Sequence, residues 1–311
     1  MSFEFIIPDI VDPTKVDGSP YPRNIDPLSD TARDKKVKET KGEPITDFGG
    51  NSNPYIDYQS IDLLLSLQHP RSAGYDEMCF ILMGQTKELL FKSLYYELYN
   101  LQLRVCADDI PNSLVIIDRA KKILKLIVNT WEVLSTIRTE GFNQFRDYLN
   151  VASGQLSFMY RHIEFILGNK NQKMCDAHSN VEHVYPAILK NFSSPSIYDD
   201  VISLLHRGGY KVAPECLDRD WTETYKVHPS VEDAWLKVYA DPTPKNELYM
   251  LGEGLTEIAD VFSEYRHRHF VSVQRILGFK PGTGGSAGVG WLKKAVDQRF
   301  FPELWTIRTK L

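Results

Sequence analysis

Cysteine is scarce in this 311-residue chain. The four thiols, Cys79, Cys106, Cys175 and Cys216, lie far apart, with no CxxC, no CxxCH and no zinc-type cluster. That pattern argues against a disulfide scaffold, a cysteine-held metal and a covalently attached haem. It reads as reduced, mostly buried thiols of a cytoplasmic protein. Long apolar runs are missing as well: none approaches the roughly 18 residues of a membrane span. The opening MSFEFIIPDIVDP carries Glu4 and Pro8 and lacks the basic and apolar regions of a signal peptide. Neither sign of charge dominates. Lys+Arg 36 against Asp+Glu 41 leaves −5, too mild for nucleic-acid binding by bulk charge. Alternating β-branched runs, hairpin dipeptides and fixed-period repeats are also lacking, which removes the all-β and solenoid classes.

What is present is helical. Apolar residues at 42% and charged residues at 25% are ordinary for a globular chain. Residues 1–54 read as an irregular arm, because seven prolines (Pro8, Pro13, Pro20, Pro22, Pro27, Pro44, Pro54) and the basic stretch 35–38 prevent a sustained period. Residues 55–311 read as one helical domain. A long helix is expected from Tyr75 to Val105, with Asp76 and Glu77 in its first turn, where the helix dipole favours carboxylates. It is apolar nearly all round, as central buried helices are. Further helices fit 112–138, 142–167, 196–207, 230–239, 247–278 and 289–298. The segment 168–229, with its glycines and prolines, reads as a small irregular lobe. The fold class is all-α, a helical bundle.

Three constellations suggest chemistry. On the last long helix Ile258, Phe262, Tyr265, His269, Val273 and Ile276 recur at helical spacing, so His269 sits on the apolar stripe and His267 about 200° away. Such a histidine is either a satisfied core residue or a haem ligand between bundle helices. Directly after that helix runs Lys280 to Gly288, KPGTGGSAG. It is neither a Walker A nor a Rossmann loop, and serves either as a connector or as a lid bearing Thr283 and Ser286. Third, Arg146 and Ser153 lie seven residues apart, with Phe142 one turn before Arg146. An arginine among small polar neighbours is a surface ion-pair residue or a bidentate carboxylate clamp. Gly84, mid-helix, costs about 1 kcal/mol relative to alanine and marks either a close helix approach or an opening for a ligand.

Taken together, YIDY (55–58), DEM (76–78), Gln85, ELLFK (88–92), FRDYL (145–149), RHRH (266–269), GTGGSAG (282–288) and FFPELW (300–305) resemble the tryptophan 2,3-dioxygenase family, in order, from about Asn53 to the end. The resemblance implies a haem oxidoreductase, a homotetramer in the cytoplasm, with non-covalent haem b, an amino-acid substrate and O2. Residue by residue it implies His269 as the iron's axial ligand, Arg146 as partner of the substrate carboxylate and Thr283 as a contact of its ammonium. It further implies Phe80 and Phe91 as indole-pocket walls, Ser153 near the haem edge, and Tyr55 and Tyr58 as aromatics lent to a neighbouring subunit.

Four departures from the family pattern cluster around the substrate. Gly84 stands where the family has a distal histidine, and Phe142 where a tyrosine is typical. SGQLS (153–157) replaces Ser-Gly-Phe-Gln-Ser, and Gln59 replaces an apolar residue. The expected activity is therefore O2 insertion at indole C2 and C3 of L-tryptophan or a substituted tryptophan. A haem monooxygenase giving an oxindole or hydroxylated amino acid, and a non-catalytic haem or indole carrier, are the alternatives.

Overall fold

The computed structural model describes residues 27–48 and 53–311. Its helices are α1 (Asp30–Thr40), α2 (Pro54–Gln59), α3 (Ile61–Leu65), α4 (Tyr75–Cys106), α5 (Ile110–Leu134), α6 (Thr139–Phe145), α7 (Phe158–Ile166) and α8 (Gln172–Asp176). They continue as α9 (Tyr185–Phe192), α10 (Ile197–Arg207), α11 (Pro214–Leu217), α12 (Pro229–Tyr239), α13 (Glu247–Leu277), α14 (Val289–Val296) and α15 (Pro302–Thr306). Short 3-10 turns sit at Arg146–Leu149, Gly154–Leu156 and Ile307–Thr309. No strand occurs among the described residues, so the all-α class stands.

Two compact units form, one ending at His69 and the other running from Pro70. The first unit carries α1, α2 and α3, so the last two helices group with residues that the proline count assigns to the arm. The arm itself is not wholly irregular. Between Pro27 and Pro44 no proline interrupts, and α1 forms there with Ser29 as its N-cap, accepting from the Ala32 N–H at 3.2 Å. Exposed Arg33–Asp30 and Lys35–Glu39 pairs line it, and it buries no residue. A helix polar on all sides has no apolar period to read. Residues 1–26 of the expected arm lie outside the described residues.

In the second unit α5 packs against both α4 and α13. α5 presents a regular inner stripe, Ile116, Ile117, Ala120, Leu124, Ile127, Val128 and Trp131, all buried. Gly254 of α13 lets the backbones approach: a Cβ there would meet Ile117 Cγ2 at 2.9 Å. A buried ion network then ties α13 to α7. Arg266 Nη2 donates to Glu164 Oε1 at 3.0 Å, Arg161 Nη1 to Glu164 Oε2 at 2.5 Å, and Arg266 Nη1 to the Gln298 carbonyl at 3.0 Å.

Three expectations need correction. α4 is not central along its whole length: none of residues 78–90 is buried, and close packing begins at Phe91. Among the described residues its first half is left partly exposed. The single helix expected over 142–167 is broken into α6, two 3-10 turns and α7, because Asn150 takes φ 50° and reverses the chain. The stretch 168–229 is irregular only in part: α8 and α9 close a small core of Phe165, Cys175, Val184, Ile188 and Phe192, and α10 buries Val201, Ile202 and Leu205. Of the four free cysteines, Cys175 and Cys216 are buried, Cys79 is intermediate and Cys106 exposed.

Candidate active site

Phe80, Gly84, Lys87, Glu88 and Phe91 share one face of α4, since each lies within about 60° of Gly84 on a 100° helical wheel. Along this face the structure sorts them. Phe80 is half-buried and packs beside Phe142 and Phe145, ring centroids 6.0 and 5.3 Å away. Three turns on, Phe91 is buried against Tyr160 and Tyr265, within an aromatic layer that Phe262 extends. Gly84 lies between them, and a Cβ built on it meets nothing within 4 Å. The close-approach reading of Gly84 is thereby excluded; the position opens onto space.

His269 stands on α13 across from this face, with Tyr265 one turn before it. Its ring stacks on Trp131 of α5, centroids 4.4 Å apart and planes 14° from parallel. His269 as a whole residue is half-buried. Burial, with the Lys87 charge second, pulls its pKa down to about 3, so the ring is neutral with a lone pair to offer, the form a metal requires. Beside it the Trp131 Nε1 is buried without a partner. His267 is exposed on the opposite side, as the helical angle predicts. Glu88, also on the α4 face, has its carboxyl pKa raised by burial against the opposing effect of Ser157, and its Oε2 lacks a partner.

The reversal at Asn150 builds the other wall. Arg146 opens a 3-10 turn and donates from Nη2 to the Pro281 carbonyl at 2.8 Å, while its Nε is buried and unpaired. The glycine-rich segment is folded down onto residues 152–155: Thr283 Oγ1 donates to the Ala152 carbonyl at 2.6 Å and Gln155 Nε2 to the Gly284 carbonyl at 3.4 Å. Gly284 allows this fit, because a Cβ there would stand 2.8 Å from the Ser153 Cβ. Gly288 has φ 58°, and a Cβ there would meet the Lys280 carbonyl at 2.7 Å. Arg146, Ser153 and Thr283 thus converge, although the helix predicted to align the first two does not exist.

Tyr55 and Tyr58 are 63% and 77% exposed on α2, and Gln59 is exposed beside them. Asn53 caps this short helix, accepting from the Tyr55 and Ile56 N–H groups. Sequence reading passed over Trp131, Lys87 and Glu88, although the spacing 84, 87, 88, 91 already placed two of them with Gly84.

A family model described as tryptophan 2,3-dioxygenase matches residues 39–191 and 186–311. The chain belongs to the tryptophan 2,3-dioxygenase family. The tryptophan 2,3-dioxygenase of Burkholderia pseudomallei is 42% identical over 260 residues, 84% of this chain and 85% of the relative. That of Cupriavidus necator is 42% identical over 257 residues, 83% of this chain and 87% of the relative. The chain is accordingly a haem-dependent oxidoreductase. Its residues fit that cofactor: a neutral imidazole on an apolar wall, an unfilled α4 face opposite, and a buried, unpartnered indole N–H alongside. No helix among the described residues is long and apolar enough to cross a membrane.

Proposed function

We propose that this tryptophan 2,3-dioxygenase family member inserts O2 at C2 and C3 of the indole of L-tryptophan or a substituted tryptophan, giving an N-formylkynurenine-type product. The observation that carries the reading is the convergence of Arg146, with its unpaired buried Nε, on the segment that Thr283 pins down. A guanidinium held there suits a carboxylate, which it grips through parallel N–H groups. Thr283 adds a hydroxyl for the ammonium, and the closed segment excludes water from the bound amino acid. Phe80 and Phe142 present ring edges and faces to the indole, and Ser153 leaves room beside them. His269 would hold a non-covalent haem b, which when bound would supply the oxygen-activating redox chemistry. Orientation of the indole against it is the protein's contribution to rate.

Gly84 supports a substrate or outcome different from the commonest one. Without a side chain there, no protein acceptor reaches the indole N–H from this position, at a cost of about 1 kcal/mol for a typical hydrogen bond. The open space admits a ring or β substituent. It equally supports the second reading, monooxygenation to an oxindole or hydroxylated product with a reductant consuming the other oxygen atom. Tyr55, Tyr58 and Gln59 complete a neighbouring subunit's site in a homotetramer; their exposure supports this.

Turnover of a tryptophan-analogue panel under 18O2, read by product mass, tests the proposal. Two labelled atoms per product are expected; one establishes the monooxygenase, and none on any analogue overturns an oxygenase role. His269→Ala is expected to abolish the Soret band, and a normal band in that variant refutes the assignment of His269 as the residue that would hold the haem.

A further inference from the structure

Lys87 projects from the same face of α4 as Gly84, and its Nζ lies 3.8 Å over the centroid of the Trp131 ring. That ring in turn stacks on His269 at 4.4 Å. The neighbouring carboxylate, Glu88, accepts from Ser157 and acts on Lys87 through its charge alone; among the described residues no carboxylate stands within ion-pair distance of Lys87. The site therefore holds a buried cation against an aromatic face, with the Glu88 charge acting on it but forming no ion pair with it. Moving an unpaired charge out of water is costly, and a ring face offsets only part of that cost. A core with no use for the charge would be better served by an apolar side chain of the same length.

We propose that Lys87 is a positioning residue for the cofactor's electron count: its charge, held against the Trp131–His269 stack, favours the ferrous over the ferric form of the bound haem. The inference rests on the reading of His269 as axial ligand. Reduction takes one electron from an external reductant and lowers the charge at the iron by one. A fixed positive charge nearby stabilises the less positive state, and in a site walled by Trp131, Tyr265 and Phe91 it is poorly screened. Charge and burial around haem are among the levers by which proteins set its potential.

The experiment is a mediated spectroelectrochemical titration of the haem-loaded full chain, comparing wild type with Lys87→Met and Lys87→Arg. Lys87→Met is expected to lower the ferrous-to-ferric ratio at a fixed potential about tenfold, equal to about 59 mV for one electron. Lys87→Arg, which keeps the charge, is expected to stay near wild type. In the haem-free chain Lys87→Met is expected to raise the thermal midpoint, since it removes a buried cation that no ion pair holds. An unchanged potential in Lys87→Met, with a normal Soret band, overturns the inference and leaves His269 untouched. A lowered haem-free midpoint overturns it too, by making the charge structural, and so does loss of haem uptake in Lys87→Met alone. A wild type without a Soret band overturns the His269 reading and this inference with it.

Discussion

Arg146 is positioned by backbone geometry: it opens a 3-10 turn, and one of its N–H groups is already committed to the Pro281 carbonyl. The Nε remains buried and unpaired, a state a protein tolerates where a ligand completes the bonding. Arg146→Lys keeps the charge and removes the planar fork. It is expected to lower kcat/KM for the preferred tryptophan by one to two orders of magnitude, the equivalent of about 1.5–3 kcal/mol for a hydrogen bond to a charged group. Steady-state kinetics beside an unchanged Soret band check this. The type of residue was legible in FRDYL, but its company was not. Helical spacing put Ser153 on the same face, and the structure brings the two together by a chain reversal instead.

Helices α4 and α13 use glycine for opposite ends. At Gly84 a Cβ meets nothing, whereas at Gly254 it would stand 2.9 Å from Ile117. Gly84→Ala is therefore expected to stabilise the haem-free chain by about 1 kcal/mol, the intrinsic helix preference of alanine. Gly254→Ala is expected to destabilise it by about 1–3 kcal/mol through overpacking. Urea unfolding of the two variants checks both signs. Sequence patterning found both helices within a residue or two at their ends, because α13 carries a regular apolar stripe and α4 a long apolar-rich run opened by Asp76 and Glu77. It could not separate a glycine that opens a cavity from one that closes a crossing, since that depends on what α5 places opposite each. The same limit explains α1: ion pairs and a capping serine hold it without an apolar stripe.

Across the molecule, acid stability is set by buried groups that stay neutral. His162 is 1% exposed, packs on Tyr95, and faces Asn191 Nδ2 at 3.1 Å from its Nδ1. Burial, then the nearby His178, lowers its pKa to about 4. The unfolded chain takes up this proton near the ordinary histidine value of about 6.5, so between the two values it holds more protons than the native state. Stability is thus expected to be fully present above about pH 6.5, to fall as pH drops toward 4, and to level below that. The contribution is roughly 3 kcal/mol. Urea midpoints of the haem-free chain at several pH values check the slope, which His162→Gln is expected to flatten.

The sequence by itself determined the helical class, the apolar stripe bearing His269 and the motif order of the family, because each is written in short-range spacing. Only the tertiary structure decided which of these residues meet. Arg146 reaches Pro281 across 135 positions and Thr283 reaches Ala152 across 131. It also decided that, among the described residues, the first half of α4 is left partly exposed and that Lys87 stands over Trp131. The physical reason is that local propensity fixes where helices run, whereas cavities and lone charges arise from how separate helices pack, and neither leaves a period in the chain.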